Sequence, residues 1–493
     1  MKTLKLTAEQ QAIQAAIETT TDNLIVQARA GTGKSSTIKT VAPEYSTILC
    51  YNKAPAKEMA ESLPAGSTLN ASTFHSFGMS QLPKAYVDNS RLHWLICDLF
   101  FQKNKPTNAI EWERYNNLKT AIPWLKCQAV LPDSPVQDYI TALSDERLDL
   151  NCPPAQIVND CQTILAACAE QATGTRGKYW RCDFDDMQWL PLVHGLGANS
   201  VDHLFVDEAQ DLNPIRQRLA QLWSNRVIAV GDEAQAIYAF TGSMPDSLRQ
   251  FQTWSSARQL PLTICWRCPS SHLDLARGIV PDIQDRPNCP TGTIDDVDSM
   301  SEIDIDSDTG ALVICRTNAP LVGQYYRLKK AVNQPVVMVS GDIAGTLCNL
   351  VGTDYDAKKG VRIDAAWQSK YDSRLAKKIN NAKTQSAIMV LNDHDAAIRE
   401  VLINHSEART VAELHEIIRT EFAKPDVIPA NAIRMSSIHS AKGLEHNHTI
   451  VLGTELLPHP MAKTAWEMDV ERNLVYVAYT RSKSRMSLVS SLR

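Results

Sequence analysis

One short segment near the N-terminus restricts the fold more than any other part of the chain. An apolar run at residues 24–26 enters a turn of small residues at 28–33, and a helix-compatible segment follows. In such a strand–turn–helix unit, Gly31 and Gly33 let the backbone curve so that several N–H groups point at one anion. The N-terminus of the helix adds partial positive charge. The segment therefore predicts a phosphate-binding loop.

The residues that end this loop predict its chemistry. Lys34 can reach the β- and γ-phosphates of a nucleotide, and the Ser35 hydroxyl can hold Mg²⁺. The pattern departs from G-x-x-x-x-G-K-[ST] only at its first position, where Ala28 is still small enough for the turn. The alternative is a glycine-rich connector after a strand, which the Gly-Lys-Ser sequence in this context disfavours.

Composition restricts the class of protein. The 493 residues suffice for three or four units of ordinary domain size, and contents of 44% hydrophobic and 21% charged residues are typical of soluble globular chains. We see no apolar signal segment at the N-terminus and no apolar run of membrane-spanning length. A net charge of −5 disfavours a protein that is basic overall and coats DNA, although a local basic channel remains compatible with it.

The twelve cysteines are scattered, which in a long chain of this type indicates free thiols. Cys265 and Cys268 form a single C-x-x-C pair that encloses Trp266 and Arg267. Because no second pair follows at zinc-site spacing, a metal site is disfavoured here.

Strand patterns alternate with helix patterns through much of the chain, which predicts an α/β fold with parallel sheets and crossover helices. Residues 81–182 lack clean strands and read as a mostly helical insertion, and residues 341–430 read as a second, shorter one. We therefore expect a first domain at 1–80 and 183–255 and a second at 256–340 and 431–493. The acidic stretch at 282–310 is expected to form a solvated loop and a sheet edge.

Two carboxylates follow an apolar strand downstream of the loop. In open α/β sheets ligands lie at the carboxyl ends of strands, so Asp207 is placed to bind Mg²⁺ directly or through water. Glu208 is placed to orient and deprotonate an attacking water. Taken alone, such a pair is more often a solvated turn, and the phosphate-binding loop in the same predicted sheet favours the catalytic interpretation.

Phosphoryl transfer requires cations near the γ-phosphate, and two arginines of the second domain are candidates. Arg267 lies in Cys-Trp-Arg-Cys and Arg481 in Ala-Tyr-Thr-Arg-Ser. Either residue alone could equally form a surface ion pair. If both act in catalysis, they would reach across a cleft to ATP bound by the first domain, and the cleft would close with ATP and relax after hydrolysis.

These segments, in this order, resemble the motifs of superfamily 1A DNA helicases of the UvrD/Rep/PcrA type, and especially the short phage-type or F-box-helicase-like members. The matching segments are Thr7–Gln10, Ala28–Ser36, Tyr51–Met59, Thr73–Phe77, Val206–Asp211, Val230–Gly242, Trp266–Arg267, His439–Glu445 and Glu471–Arg481. Asp-Glu-Ala-Gln-Asp at 207–211 and the segment at 439–445 are the most specific of these.

The resemblance implies two RecA-like P-loop domains in tandem with two inserted subdomains, and it implies ATP and Mg²⁺ as cofactors. It implies that Gln235 senses the γ-phosphate, alongside Lys34, Glu208 and the two arginines. It places the nucleotide against Gln10, Ala30, Gly31, Thr32, Gly33, Lys34, Ser35, Ser36, Trp266 and Glu445. It places single-stranded DNA against Tyr51, Asn52, Phe74, His75, Tyr238, Phe240 and His439, in which the aromatic rings stack on bases and the histidines contact phosphates.

The implied activity is ATP-dependent unwinding with 3′-to-5′ movement on single-stranded DNA, acting at single-strand/duplex junctions. The implied setting is the cytoplasm of a bacterial or phage-infected cell, with a replication or repair protein as partner and no membrane. Three departures from the family pattern stand out: Thr241 replaces the usual Arg, Trp266 replaces the usual Tyr, and the second insertion is short.

Other interpretations stay open on sequence alone. The short second insertion is compatible with a translocase that strips proteins from DNA or needs a partner subunit to unwind. A nucleic-acid-binding module with a decayed ATP site is disfavoured, because the charged residues of the predicted ATP site are all present. The basic run from Lys358 to Lys383 is interpreted either as a contact with duplex DNA or as a solvated helical face.

Overall fold

A computed structural model of the chain describes residues 6–145, 147–148, 150–172, 180–238, 246–382 and 385–490. Its contacts divide the chain into two compact units. The first contains Met1–Arg29 and Gly33–Thr263, and the second contains Ala30–Thr32 and Ile264–Arg493. Among the helices of the described residues, none combines the length and the apolar character needed to cross a lipid bilayer.

The first unit is built on a six-stranded parallel sheet in the order β3-β2-β6-β7-β1-β8. Its strands are β1 (Leu24–Ala28), β2 (Thr47–Cys50), β3 (Asn70–Thr73), β6 (Val201–Asp207), β7 (Ser224–Gly231) and β8 (Arg258–Leu262), and a separate pair joins β4 (Tyr86–Val87) to β5 (Arg181–Cys182). Every residue of β1 is buried. Continuous burial is expected of a central parallel strand, because helices cover both faces of the sheet.

Helices of the first unit cover this sheet and form the insertion. They are α1 (Ala8–Thr19), α2 (Lys34–Val41), α3 (Lys53–Glu61), α4 (Phe74–Gln81), α5 (Arg91–Phe100), α6 (Ala109–Cys127), α7 (Val136–Leu143), α8 (Pro154–Ala172), α9 (Asp186–Val193), α10 (Pro214–Trp223) and α11 (Ser247–Ser255). Helix α1 begins with a capping box between Thr7 and Gln10. The helical character predicted for the first insertion is confirmed.

The first insertion shares a core with the sheet it interrupts. Ile25 and Val206 on one face of the sheet belong to the same buried cluster as Leu118 and Ile164 of the insertion helices. The opposite face has its own cluster, which contains Leu24 and other alternating residues of the same strands. Because the insertion is packed directly on the sheet, its helices can hold site residues rigidly.

A buried ion cluster fixes the point where the chain returns from the insertion. The Lys126 ammonium lies 2.7 Å from an Asp186 carboxylate oxygen and 3.3 Å from one of Asp183, and Arg91 pairs with Asp186 from helix α5. Buried charges of this kind persist only when they are paired. The cluster therefore holds residues 183–186 between helices α5, α6 and α9.

The second unit repeats the architecture with a parallel sheet in the order β11-β16-β15-β12-β14-β13. Its strands are β11 (Thr293–Val297), β12 (Ala311–Cys315), β13 (Val336–Met338), β14 (Ile433–Ser437), β15 (His446–Leu452) and β16 (Ser482–Val489), and a separate pair joins β9 (Ile264–Cys265) to β10 (Gln284–Asp285). Strand β11 lies at the edge of this sheet, as predicted for the acidic stretch. The two parallel α/β units confirm the predicted fold class and are consistent with tandem RecA-like domains.

Helices of the second unit include those of the second insertion. They are α12 (Ser270–Arg277), α13 (Ala319–Ala331), α14 (Ile343–Val351), α15 (Asp354–Lys358), α16 (Ala365–Asn381), α17 (Gln385–Asn404), α18 (Val411–Glu421) and α19 (Ala465–Tyr479). One buried cluster contains Val313 of the sheet together with Trp367 and Leu414 of the insertion. This insertion is also packed on its own sheet.

The structure moves one predicted boundary. Residues 256–263 were expected in the second domain, but Arg258–Leu262 pairs in parallel with strand β1 as the edge strand of the first sheet. The expectation was wrong because this strand contains Pro261 and alternates exposed with buried residues, as edge strands do. Strand β8 therefore lacks the apolar run by which a buried strand is recognised in the sequence.

Candidate functional site

The predicted phosphate-binding loop has the expected strand–turn–helix geometry. Strand β1 ends at Ala28, and helix α2 begins at Lys34. Gly31 and Gly33 have φ angles of +68° and +81°, a region that residues with a Cβ adopt only under strain. Gly33 is the N-cap of α2 and offers no side chain to the first N–H groups of that helix. Those N–H groups and the helix dipole are therefore directed toward an anion.

The remaining residues of the loop differ in exposure. Ala30 and Thr32 are buried, whereas Ser35 and Ser36 are exposed in the first turn of α2. The hydroxyl of Ser35 donates to a carboxylate oxygen of Asp207 at 3.4 Å. The structure thus brings together the two residues that were predicted to hold Mg²⁺. Hydroxyl and carboxylate oxygens are hard ligands of the type that Mg²⁺ prefers, so this pair fits the ion.

Lys34 and Glu208 form an ion pair in which the ammonium lies 2.8 Å from a carboxylate oxygen. Burial alone would lower the pKa of Lys34, but the carboxylates of Glu208, Asp207 and Asp232 raise it above its usual value. The lysine is thus held as a cation at the start of α2. An ammonium in this position is available to phosphate oxygens.

Glu208 has a strained backbone. Its φ of +54° lies in the left-handed region, where a residue other than glycine costs about 1–3 kcal/mol. Its N–H donates to the Asp207 side chain at 3.0 Å, and the Gln210 amide donates to its carboxylate. The contacts that hold the turn therefore also orient both carboxylates, and strain maintained in this way is typical of functional positions.

Burial and like charge shift the pKa of the first carboxylate. Burial and the neighbouring Glu208 carboxylate together raise the pKa of Asp207 to about 6, although Lys34 opposes both effects. Carboxylates that are crowded and short of positive charge favour binding of a cation, because the cation relieves both causes of the shift.

Asp232 is a functional candidate that sequence reasoning did not single out. It is fully buried, which raises its pKa, and it accepts a hydrogen bond from the Gln235 amide at 2.7 Å. Its backbone N–H donates to the Gln210 side chain at 3.0 Å. A Cβ on the preceding Gly231 would lie 2.6 Å from the same Gln210 side chain, so any larger residue there would displace the amide that holds Asp232. The only signal in the sequence was the position of Gly-Asp at the end of an apolar strand.

Gln10 is anchored by both ends of its amide. Its oxygen accepts from the Thr7 backbone N–H at 3.0 Å, and its nitrogen donates to the Thr37 hydroxyl at 2.9 Å. Thr37 lies on α2, so this contact fastens the N-terminal helix to the helix that follows the phosphate-binding loop. This structural role was not anticipated from the sequence.

Aromatic residues of two predicted DNA-contacting segments meet on the first unit. The rings of Tyr51 and Tyr238 are stacked, with centroids 5.8 Å apart and an interplanar angle of 3°, and both are partly exposed. The guanidinium of Arg216 lies 4.5 Å from the Tyr51 ring centroid, as in a cation–π contact. Asn52 beside them is exposed. Phe240 and Thr241 lie outside the described residues.

The expectation that Phe74 stacks on bases is contradicted. Its side chain is only 1% exposed and packs against Trp223 in the core. Thr73 caps helix α4, and Phe74, the first residue of that helix, turns inward. The adjacent His75 is half-buried, and burial together with Arg216 lowers its pKa to about 3. A histidine that is neutral at physiological pH offers a phosphate no positive charge.

Phe184 was missed in the sequence. It is 56% exposed, and its ring stacks on His75 with centroids 3.9 Å apart. The Gln188 amide nitrogen lies 2.6 Å from His75 Nε2, and because an amide N–H only donates, that ring nitrogen is the acceptor. Phe184 lies between Asp183 and Asp186, which the buried ion cluster holds in place. The available signal was an aromatic residue among three aspartates.

These side chains line a cavity of about 480 Å³ in the first unit. Tyr51, His75, Phe184 and Arg216 contribute aromatic surface and one guanidinium to it. A hollow of this size with flat rings on its wall is able to accept a planar, stacking group.

The second unit carries the predicted arginines in two different settings. Arg267 donates through Nε to Glu445 at 2.6 Å and through Nη1 to the Thr480 carbonyl at 3.1 Å. Lys483 lies 2.6 Å from the same glutamate. Although burial raises the pKa of Glu445, hydrogen bonds and charges from Lys483 and Arg267 bring it below its usual value. Trp266 beside Arg267 is 47% exposed.

Arg481 is only 1% exposed and donates to backbone carbonyl groups of Val477 and Leu444 at 2.9 and 3.3 Å. Its position at the end of helix α19 fixes the guanidinium against the turn that contains Leu444 and Glu445. His439 is half-buried, and burial together with Arg316 lowers its pKa to about 3. It therefore resembles His75 in being neutral at physiological pH.

A further ion pair in this unit, between Arg316 and Glu471, was not predicted. Arg316 donates to Glu471 with both fork nitrogens, at 2.9 and 2.6 Å, and Glu471 also accepts from the His459 backbone N–H at 2.9 Å. This bidentate contact fastens strand β12 to helix α19, which ends near Arg481.

Comparison of the sequence with known protein families gives matches in both units. The chain matches the UvrD/REP helicase N-terminal domain over residues 7–254 and the UvrD-like helicase C-terminal domain over residues 355–492. The first match covers just over half of the chain. The chain belongs to the UvrD/REP helicase family. It is an ATP-dependent helicase enzyme of the superfamily 1A type, as the motif order indicated.

Individual relatives are distant. The chain is 23% identical to the ATP-dependent DNA helicase UvrD2 of Mycobacterium tuberculosis over 94% of its own length and 76% of that protein. It is 26% identical to the ATP-dependent DNA helicase Rep of Escherichia coli over 48% of its length and 37% of Rep. A solved arterivirus nonstructural protein 10 helicase aligns with 98% of the chain and 62% of its own at 13% identity and a TM-score of 0.35.

Proposed function

We propose that this UvrD/REP-family enzyme moves 3′ to 5′ on single-stranded DNA and couples ATP hydrolysis to duplex unwinding. The observation that carries the proposal is the cluster of Lys34, Ser35, Asp207 and the strained Glu208 around the phosphate-binding loop. The names of the relatives, ATP-dependent DNA helicases, support the substrate and the reaction. The proposed setting is the cytoplasm of a bacterial or phage-infected cell, with a replication or repair protein as partner.

In the proposed hydrolytic step, Ser35 and Asp207 would hold Mg²⁺, and the ion would supply positive charge that neutralises the phosphates. The β- and γ-phosphates draw the Lys34 ammonium away from Glu208. The freed Glu208 carboxylate then orients the attacking water and takes its proton. Gln235, held by Asp232, contacts the γ-phosphate and the water from the end of strand β7.

The rest of the nucleotide is proposed to contact both units. Backbone N–H groups of residues 30–36 bind the phosphates, and Gln10 contacts the adenine edge. From the second unit, Trp266 stacks on the base, Glu445 binds the ribose, and Arg267 and Arg481 neutralise charge on the γ-phosphate. Glu445 must release Arg267 in part for this to occur, because the two are now paired at 2.6 Å.

Single-stranded DNA is proposed to bind through stacking on the exposed rings of Tyr51, Tyr238 and Phe184, together with Phe240. Asn52, His75 and His439 contribute hydrogen bonds instead of charge. Arg216, next to the Tyr51 ring, supplies a cation to the backbone. Such a surface tolerates any base sequence, because every base has a stacking face.

A strand-displacement assay with matched 3′-tailed and 5′-tailed duplexes tests the proposal. We expect ATP- and Mg²⁺-dependent displacement from the 3′-tailed duplex, and Lys34→Ala to abolish it in a folded protein. Displacement only from the 5′ tail would refute the polarity. ATPase activity stimulated by single-stranded DNA without displacement from either tail would instead favour the translocase that strips proteins or needs a partner.

A further inference from the structure

The C-x-x-C pair lies between strand β9 and helix α12 in the second unit. Cys265 is the last residue of β9, Cys268 lies two residues before α12 begins at Ser270, and both side chains are fully buried. Trp266 and Arg267 are the two residues between them. Any change in the separation of the two sulfurs must therefore change the turn that carries Arg267.

The two cysteines contact each other directly. The Cys268 backbone N–H donates to the Cys265 sulfur at 3.4 Å, and the Cys268 thiol donates a second hydrogen bond to that sulfur. A third cysteine, Cys289, donates through its thiol to the Cys268 carbonyl at 3.4 Å. Cys265 is thus the acceptor in the pair, and Cys268 is the donor.

These contacts single out Cys265 among the buried cysteines. The Cys268 thiol, backbone N–H groups and Arg267 lower the pKa of Cys265 to about 6 in spite of its burial. Burial raises the pKa of Cys50 and of Cys315 to about 12, whereas the hydrogen bond to Cys265 together with burial raises the pKa of Cys268 well above its usual value. At neutral pH this geometry holds one thiolate next to one thiol, which is the arrangement that thiol oxidation requires.

We propose that Cys265 and Cys268 are a redox-active dithiol, which hydrogen peroxide converts into an intramolecular disulfide. The Cys265 thiolate attacks one peroxide oxygen, the O–O bond breaks, and hydroxide leaves, so that Cys265 becomes a sulfenic acid. The Cys268 sulfur then attacks the Cys265 sulfur, the S–O bond breaks, and the thiol proton leaves with that oxygen as water. The two sulfurs lose two electrons in total, which reduce the peroxide.

Burial determines which oxidant fits. Both sulfurs are inaccessible in the structure, so a small oxidant close to water in size is required, and a tripeptide disulfide such as oxidised glutathione is excluded by its bulk. Reduction by a small dithiol reverses the reaction. A reversible bond of this kind is the form in which disulfides occur in reducing compartments.

The disulfide is expected to alter ATP hydrolysis through Arg267, a consequence that rests on the proposed catalytic role of that arginine. Bonded sulfurs lie about 2 Å apart, closer than two thiols can approach without a bond, so the four-residue turn must tighten. Arg267 is held at both Nε and Nη1, by Glu445 and Thr480. A displacement of about 1 Å in a catalytic group can lower a rate by up to about 100-fold.

The tryptic map makes the bond directly measurable. Cleavage after Arg258, Arg267 and Arg277 separates Cys265, in peptide 259–267, from Cys268, in peptide 268–277. After peroxide treatment and alkylation without reductant, we expect these two peptides as one linked species that dithiothreitol splits. In Cys268→Ser, we expect a sulfenic acid on Cys265 that dimedone traps. Cys315→Ser, which removes a buried thiol of raised pKa, is the matched control and should give the wild-type linkage.

Three results would overturn the proposal: both peptides unlinked under these conditions, a link from 268–277 to the Cys289 peptide instead, or equal linkage by oxidised glutathione. The effect of the disulfide on activity is measured in a separate experiment. We expect linked protein to lose DNA-stimulated ATPase activity by about 10-fold or more, with recovery in dithiothreitol and no loss in Cys265→Ser. Linkage without that loss would refute the catalytic role of Arg267 and leave the dithiol in place, since mass mapping does not depend on activity.

Discussion

The two sheet-containing units hold their candidate catalytic groups in opposite electrostatic environments. In the first unit, burial raises the pKa of Asp207 to about 6 and also raises that of Asp232, and Lys34 is the cation placed among these carboxylates and Glu208. In the second unit, Glu445 accepts from both Arg267 and Lys483, and its pKa is lowered. The first site has an excess of carboxylates and the second an excess of cations.

This difference gives the two units different parts in the proposed mechanism. The carboxylates of the first unit, Asp207, Glu208 and Asp232, outnumber the cations paired with them, Lys34 and Arg29, so they repel phosphate unless a divalent cation is bound. The cations of the second unit attract phosphate, and the carboxylate beside them, Glu445, is engaged by Arg267 and Lys483. The division of labour in the proposed mechanism follows from these two environments, and each half can be tested separately.

The largest effect is expected from the first unit. Glu208→Gln keeps the shape and hydrogen-bonding capacity of the side chain but removes the base, so kcat for DNA-stimulated ATP hydrolysis should fall by about 10²–10⁴-fold. The measurement is steady-state ATPase activity, with circular dichroism to verify the fold. Glu58→Gln on the exposed side of α3 is the control and should leave kcat unchanged. An unchanged kcat in Glu208→Gln would show that another residue is the general base.

The second unit should contribute a smaller factor. Arg267→Ala removes one cation from the developing charge, and we expect kcat to fall by about 10²–10³-fold with little change in DNA affinity. Arg472→Ala is the matched control, since that arginine is 64% exposed and pairs with Asp469 at the surface. An equal kcat in Arg267→Ala and Arg472→Ala would contradict the proposed catalytic role of Arg267.

Asp185 allows the effect of a buried carboxylate on stability to be measured at a position away from the proposed metal ligands. Burial raises the pKa of Asp185 to about 6, and Lys126 opposes the shift. Between about pH 4 and pH 6 the folded chain therefore binds more protons than the unfolded chain, so this group makes stability fall as pH rises. Asp185→Asn cannot ionise and should be more stable than wild type by about 2 kcal/mol at pH 8.

The gain in Asp185→Asn should shrink toward pH 4 and disappear below it, where the wild-type carboxyl is protonated in both the folded and the unfolded state. Denaturant titrations at several pH values measure it. Asp202→Asn, on the exposed side of strand β6, is the control and should show no such pH-dependent gain. A gain of equal size at pH 4 and pH 8 would mean that ionisation of Asp185 is not its cause.

The smallest effects are expected at Tyr238 and Trp266, whose substitutions should affect binding of different ligands. Tyr238→Ala should weaken single-stranded DNA binding by about 1–3 kcal/mol, because one stacking face is lost, with ATP affinity unchanged. Trp266→Ala should raise KM for ATP and leave DNA affinity unchanged. Fluorescence anisotropy with labelled DNA and ATPase titrations give the two readouts. Tyr45→Ala, which changes an exposed tyrosine away from these rings, is the control. If Tyr238→Ala raised KM for ATP and Trp266→Ala weakened DNA binding, the two proposed ligand contacts would have to be exchanged.

The sequence predicted more of the chain's local chemistry than of its surface. The phosphate-binding loop, the strand before Asp207 and both parallel sheets could be inferred, because glycine positions and apolar runs encode them locally. Strand β8 escaped prediction because an edge strand with Pro261 lacks an apolar run. Phe74 was misassigned because a motif position does not reveal the direction of a side chain.

By itself the sequence determined the family, the order of the motifs and the residue types around the phosphate-binding loop. Only the tertiary structure decided that Phe74 belongs to the core, that Phe184 meets His75, and that the Cys265 sulfur accepts from Cys268. The physical reason is range: turn and strand propensities act over a few residues, whereas burial, stacking and charge pairing depend on partners that the fold brings together from distant parts of the chain.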